Sequence, residues 1–330
     1  MRRGAAMTTN DPGREPTSDG VLRAAAKVAD LLPPTPLLPL TIDGTAVWAK
    51  AESLQPIGAF KIRGAWHRLT DLSDAERARG VVGVSSGNHA QGVAWAARRL
   101  GIAATIVMPS NAPQVKLERT RDLGAEVILY DRATEDRDEI AQALVEARGA
   151  TLVHAYADPW VIEGQGSTGI EIVAQMERWA GGPPTRIVAP CGGGGLTAGL
   201  ALACPDAEII PVEPEGWDDV CRSLEAGSIQ RVAAGAPDTA CDALQTLATR
   251  PINFAVLRER CRRWLRVSEA EVAAAQRFAF ARLRLVLEPG GAAALAAALA
   301  GKAPLDERTA IVLSGGNVDP AAFARVLVGN

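Results

Sequence analysis

Between Gly80 and Ala157 the chain keeps changing its hydrophobic rhythm. Short β-like apolar runs at Ala104–Met108, Glu126–Tyr130 and Thr151–His154 alternate with stretches of helical character. Pro113–Leu123 reads as a helix with a proline near its start and Gly124 just past its end, and Thr134–Arg148 reads as another. Ala90–Leu100 is amphipathic and is closed by Gly101. Beyond Trp160 the pattern resumes, with strands predicted at Thr185–Ala189, Glu208–Glu213 and Thr309–Ser314, each followed by a glycine-rich or acidic turn. Ser268 and Glu271 form a capping box that opens a helix running through Arg284. Strands that alternate with helices imply parallel sheets covered on both faces. The fold class is therefore α/β: open, twisted, parallel-rich sheets flanked by helices. The two groups of strand–helix units call for two sheets.

Composition narrows the function classes. The net charge of −3 argues against a nucleic-acid surface, which needs clustered lysine and arginine. The longest apolar tract, Ala292–Ala300, is far shorter than the ~20 residues that cross a bilayer. Met1–Gly20 mixes arginine, glycine, proline and hydroxyl residues without periodicity; Arg2 and Arg3 are followed by no apolar segment, so it reads as a disordered lead rather than a signal peptide. Five cysteines with no C-x-x-C pair, and three histidines with no H-x-x-x-H pair, indicate neither a disulfide framework nor a zinc site. A cytoplasmic protein is expected.

Three stretches carry chemistry. In Gly58-Ala59-Phe60-Lys61-Ile62-Arg63-Gly64-Ala65, a lysine flanked by an aromatic in a glycine-bounded turn is set to be desolvated. A desolvated amine has a lowered pKa and is suited to Schiff-base formation. Ser85-Ser86-Gly87-Asn88-His89-Ala90-Gln91-Gly92 offers small side chains and free backbone N–H groups at a helix start, which serve equally as a cap or as a carboxylate site. Gly192-Gly193-Gly194-Gly195 follows a strand and precedes the helical Leu196–Ala203, presenting N–H groups to a phosphate. It lacks both the P-loop G-K-[ST] and the dinucleotide G-x-G-x-x-G spacing, which speaks against a nicotinamide-dependent oxidoreductase.

Together these stretches resemble the pyridoxal-phosphate (PLP) enzymes of the threonine/serine dehydratase and serine racemase family, fold type II. The resemblance runs from about Leu37 to Val318. It implies a large PLP-binding domain of residues 21–79 plus 158–330 and a small mobile domain of residues 80–157. It also implies Lys61 as the Schiff-base lysine, with Phe60, Asn88, Gly192 to Gly195, Leu196 and Ser314 around the cofactor. Ser314 would face the pyridine nitrogen and Asn88 the ring hydroxyl. Ser85, Ser86, Asn88 and His89 would bind the substrate. Ser86 matches the serine that exchanges a proton in racemases, whereas Ala90 stands where racemases often carry glycine. Ala59 departs from the family, which commonly has serine or threonine there.

The acidic stretch Glu213-Pro214-Glu215-Gly216-Trp217-Asp218-Asp219 matches the family's cation site, with Glu213, the Trp217 carbonyl and Asp219 as oxygen ligands for Mg²⁺ or Ca²⁺. As a bare cluster it is equally a solvated loop. Arg132 and Arg137 read as exposed helix-start charges, or as a clamp for a second substrate carboxylate. Glu288 in L-E-P-G-G-A matches a position near the cofactor ring. The function implied is α,β-elimination of ammonia from L-threonine or L-serine. Serine racemase and 3-hydroxyaspartate dehydratase are rivals on the same fold, and a non-catalytic PLP-binding protein is a remote alternative. Family habit implies a homodimer.

Overall fold

The computed structural model describes residues 13–329 except Ser86 and Pro113. Among these described residues, ten strands form two sheets. The first six in chain order are β1 (Leu37–Ile42), β2 (Thr45–Ala51), β3 (Val81–Val84), β4 (Ala104–Pro109), β5 (Glu126–Tyr130) and β6 (Thr151–Val153). The others are β7 (Arg186–Pro190), β8 (Glu208–Pro214), β9 (Leu265–Val267) and β10 (Thr309–Leu313). The larger sheet runs β1-β2-β10-β7-β8-β9, and the smaller runs β5-β4-β3-β6. Every pairing is parallel except the β1–β2 hairpin. The expected α/β, parallel-rich architecture is what the chain adopts.

The six strands expected from the hydrophobic rhythm, β4 to β8 and β10, agree with it to within a residue, and all but β5 are buried on both faces as continuous apolar runs; β1, β2, β3 and β9 were not expected. Helix starts follow capping chemistry instead. The helix expected from Thr134 begins at Arg137, because the Asp136 carboxylate accepts from the Asp138 amide at 2.7 Å. The Ser268–Glu271 capping box is present, and its helix (Glu269–Phe278) passes into a π-helical turn, Ala279–Leu283, that ends at a left-handed Arg284. The helix expected from Pro113 is described from Gln114 to Asp122; Pro113 lies outside the described residues.

The end of the expected disordered lead is corrected. A helix spans Ser18–Ala29, capped by the Thr17 hydroxyl, and Arg14 grips the Glu163 carboxylate with contacts of 2.9 and 2.7 Å. Residues 1–12 lie outside the described residues.

Packing around the helix Lys61–Thr70 positions the site. It crosses the long helix Pro159–Trp179 at a glycine–glycine contact, where a Cβ on Gly164 would lie 2.4 Å from the Gly64 Cα. Beside Gly64, the buried Arg63 guanidinium holds Glu52 through two bonds of 2.8 Å and Glu171 through bonds of 2.7 and 2.8 Å. A forked guanidinium bound at both ends fixes the helix's direction as well as its depth. Lys61 is the first residue of that helix. Among the described residues, no helix is long and apolar enough to cross a membrane.

Candidate active site

The C-terminal ends of parallel strands are where ligands meet open α/β sheets. Here a single cleft collects the residues that follow β3, β6, β7 and β10, together with Phe60 and Lys61. Ser85, Asn88, His89, Gly192 to Gly195, Leu196 and Ser314 all line it. Ser86 lies outside the described residues.

Lys61 donates to the Ala155 carbonyl at 2.7 Å, with its amine 5.1 Å from the Phe60 ring centre. Burial pulls its pKa down to about 8, and the Glu288 carboxylate opposes only part of that shift. The desolvated amine expected from the flanking aromatic is therefore what the fold provides. His89 and His154 are both pulled down to about 3, first by burial, and are neutral. His89 joins the Val153 carbonyl through Nε2 at 2.9 Å, and its Nδ1 has no partner among the described residues.

The glycine loop follows β7 and feeds the helix Gly195–Ala203. Among the described residues, the amides of Gly192 to Gly195 have no protein acceptor. The loop's carbonyls are occupied instead: Thr249 bonds the Gly193 oxygen at 3.0 Å and Thr197 the Gly194 oxygen at 3.2 Å. The donors are thus left facing the cleft, beside the positive end of a helix. The Tyr156 ring lies so close to Gly193 that a Cβ there would sit 2.3 Å from it. Burial raises the pKa of the Cys191 thiol, which contacts Thr197 Oγ at 3.5 Å; it packs and is no nucleophile.

Opposite the loop, Ser314 is buried, and its carbonyl accepts from the Phe60 amide at 3.1 Å. Its hydroxyl makes no bond to protein among the described residues. Asn88 donates to Glu288 through a short contact, and the other Glu288 oxygen has no partner among the described residues. Burial pushes Glu288 up to about 7. Free amides for a phosphate, an unpaired serine hydroxyl, a low-pKa amine and an orphaned carboxylate oxygen form a donor set that fits PLP.

The acidic stretch is not a solvated loop. Glu213, at the end of β8, is fully buried and accepts from the amides of Val220 at 3.2 Å and Cys221 at 2.7 Å. Asp219 is equally buried, and neither of its carboxylate oxygens finds a hydrogen-bond partner of normal geometry. Burial raises both pKa values, and the Asp219 charge raises Glu213 further. The Trp217 indole turns away to donate to the Pro237 carbonyl at 2.8 Å. No group of three or more histidine, cysteine or acidic side chains suited to a metal occurs among the described residues.

Sequence reasoning missed the run His154-Ala155-Tyr156, although a segment leaving the end of β6 had the position of a ligand loop. It also missed Lys116, which pairs with Asp242, and Arg250. Of the two arginines singled out, Arg137 reaches the cleft and Arg132 is not among its lining residues.

Comparison with known proteins agrees with this donor set. The chain is 40% identical over 318 residues to an L-threo-3-hydroxyaspartate ammonia-lyase of Pseudomonas sp, covering 94% of this chain and 98% of the relative. The crystal structure of T.th. threonine deaminase superposes with a TM-score of 0.84 at 43% identity, over 92% of this chain and 99% of that one. The structure of maize serine racemase does so with a TM-score of 0.88 at 33% identity, over 96% and 98%. The profile described as "Pyridoxal-phosphate dependent enzyme" matches residues 28–315, and the chain belongs to that family.

Proposed function

We propose that this protein is a PLP-dependent ammonia-lyase that converts a β-hydroxy amino acid, L-threonine or L-serine first among them, to a 2-oxo acid and ammonia. The observation that carries this reading is the Lys61 amine, desolvated to a pKa of about 8 in the same cleft as the unpaired amides of the glycine loop. Lys61 would hold the cofactor aldehyde, Gly192 to Gly195 its phosphate, Ser314 its ring nitrogen and Asn88 its ring hydroxyl, with Phe60 and Leu196 packed beside it. When bound, PLP supplies the electron sink that acidifies the substrate Cα–H.

The chain's own groups do the rest. Lys61, whose lowered pKa of about 8 leaves about half of the amine unprotonated at pH 8, accepts the Cα proton as general base. The start of the helix Asn88–Leu100, with Ser85 and neutral His89, receives the α-carboxylate through amide donors and the helix dipole. Ser314 offers a hydroxyl, not a carboxylate, so it does not hold a pyridine nitrogen protonated. That weakens the sink and favours loss of the β-hydroxyl over longer-lived charge at Cα. Loss of water, followed by addition of water with release of ammonia, balances to the 2-oxo acid. Glu213 and Asp219, with the Trp217 carbonyl and waters, would hold Mg²⁺ or Ca²⁺ away from the reacting atoms. The resemblance carries a cytoplasmic homodimer as part of the same proposal.

A second reading is favoured by Arg137 and Arg250. Both line the cleft, and each lies within 4 Å of the Asp138 carboxylate, at 3.6 and 3.8 Å. Ion pairs this loose leave donors for a second substrate carboxylate, as in 3-hydroxyaspartate. The related L-threo-3-hydroxyaspartate ammonia-lyase supports that choice.

The test is 2-oxo acid release by the PLP-loaded protein from L-threonine, L-serine and 3-hydroxyaspartate, with and without EDTA. Turnover of threonine or serine that disappears in Lys61→Ala is expected. Turnover of hydroxyaspartate alone, lost in Arg137→Ala and Arg250→Ala, would move the assignment to the second reading. D-serine formed from L-serine would move it to a racemase.

A further inference from the structure

The side-chain amide of Asn88 has only one workable orientation, and residues outside the proposed chemistry decide which. Asn317 stands behind it, just past β10. Its Nδ2 donates one hydrogen to the Ile57 carbonyl at 2.7 Å and the other to Asn88 Oδ1 at 2.8 Å. Its Oδ1 accepts from Arg119 Nη1 at 2.9 Å. A backbone carbonyl can only accept and a guanidinium can only donate, so Asn317 is trapped between them in a single orientation. The constraint then passes forward. Asn88 Oδ1 is used as an acceptor, so Asn88 Nδ2 must face Glu288, to which it donates. A reversed Asn88 would press its carbonyl against the Glu288 carboxylate.

Space for this chain of amides is reserved at Gly58. Its φ of +71° is left-handed, and a Cβ there would lie 2.5 Å from Asn317 Oδ1. Asn88, Asn317 and Glu288 are all buried, where an unpaired or inverted polar contact is costly. Arg119 belongs to the helix Gln114–Asp122 beside the smaller sheet, whereas Asn317 follows a strand of the larger one. The polarity of Asn88 is therefore set across the two sheet units.

We propose that Arg119 and Asn317 are positioning residues that fix Asn88 with a free N–H directed into the cleft, so that the group it meets there is bound as an acceptor. On the reading that the cleft holds PLP, on which this rests, the acceptor is the ionised ring oxygen, and the Arg119–Asn317 pair favours ionisation of that oxygen.

The experiment titrates apo-protein with PLP, reading the dissociation constant and the pH midpoint of the visible absorbance of the Lys61-bound cofactor. Asn317→Asp, which cannot donate to Asn88, is expected to weaken PLP binding about ten-fold and to move the absorbance midpoint to higher pH. Arg119→Leu should do the same by about three-fold, and Arg119→Lys should restore most of it, since one donor remains. Arg119 is exposed, so its variants keep the fold even if Asn317→Asp does not. Wild-type binding and an unmoved midpoint in Arg119→Leu overturn the proposal. A wild-type protein with no Lys61-dependent absorbance overturns the PLP reading itself, and the proposal with it.

Discussion

Two clusters of buried charge differ in one respect: one is complete and the other is not. Around Arg63 and Lys50, two cations meet the two carboxylates of Glu52 and Glu171. Lys50 also donates to the Thr35 carbonyl and to Gln175, each at 2.8 Å. Burial alone would raise Glu52, but Arg63 overrides it and holds the carboxyl down to about 2. At Glu213 and Asp219 two carboxylates are buried, and among the described residues no side-chain cation pairs with either. Two backbone amides serve Glu213, neither Asp219 carboxylate oxygen has a hydrogen-bond partner of normal geometry among the described residues, and both pKa values are raised. A buried charge must be paired or neutralised. The first cluster meets that condition with its own residues and so explains itself as structure. The second does not, which points to a cation from outside. The cleft belongs with the second kind: among the described residues, Glu288 Oε2 and the loop amides have no partner, and Lys61 donates to the Ala155 carbonyl without a salt bridge.

The largest effect should come from opening the complete cluster. Arg63→Met strands Glu52 in the interior, while Lys50 keeps Glu171 paired, and should cost about 3–5 kcal/mol, read as a lower midpoint in urea unfolding at neutral pH. Glu52 adds a pH signature. Its folded-state pKa lies below the unfolded value, so its stabilisation is present above about 4.5 and is lost as pH falls toward about 2. Acid unfolding between those limits should be shallower in the variant. An unchanged urea midpoint would show that the cluster adds nothing.

Closing the incomplete cluster should have a smaller effect of opposite sign. Ca²⁺ or Mg²⁺ at millimolar concentration should raise the thermal midpoint of the wild-type protein by at least about 3 °C at pH 8. Asp219→Asn should raise the midpoint without metal and abolish the response to it. A wild-type protein indifferent to both cations, examined by melting and by calorimetric titration, removes the site from the proposal.

The same contrast explains what the sequence could and could not disclose. Lys61, the glycine loop and the Ser85–His89 turn were legible because each couples a local backbone requirement to a residue type. Most strands buried on both faces were legible as continuous apolar runs, although the short β3, broken by Gly83, was not. The Arg63 cluster was not, although Arg63 lies two residues from Lys61. Its partners Glu52 and Glu171 come from distant segments, and no local pattern marks a carboxylate as buried. Arg250, Lys116 and Asp242 reach the cleft through tertiary packing alone. The helix Pro159–Trp179 was missed because it is buried along most of its length, including its polar positions, and so has no amphipathic rhythm to read.

Glu288 provides the finest test, since it lies between the two kinds of cluster: one oxygen is paired with Asn88 and the other has no partner among the described residues. Its folded-state pKa, about 7, stands above its ordinary value of 4.5, chiefly through burial. Such a carboxyl binds more protons folded than unfolded, so stability falls as pH rises from about 4.5 to about 7 and stays reduced above. Glu288→Gln keeps an acceptor for Asn88 but cannot ionise. Apo-protein melted at pH 5 and at pH 8 should therefore lose fewer degrees between the two in the variant than in the wild type, by about 2 °C. Equal losses would mean that Glu288 finds its missing partner within the protein, and would place it with the complete cluster.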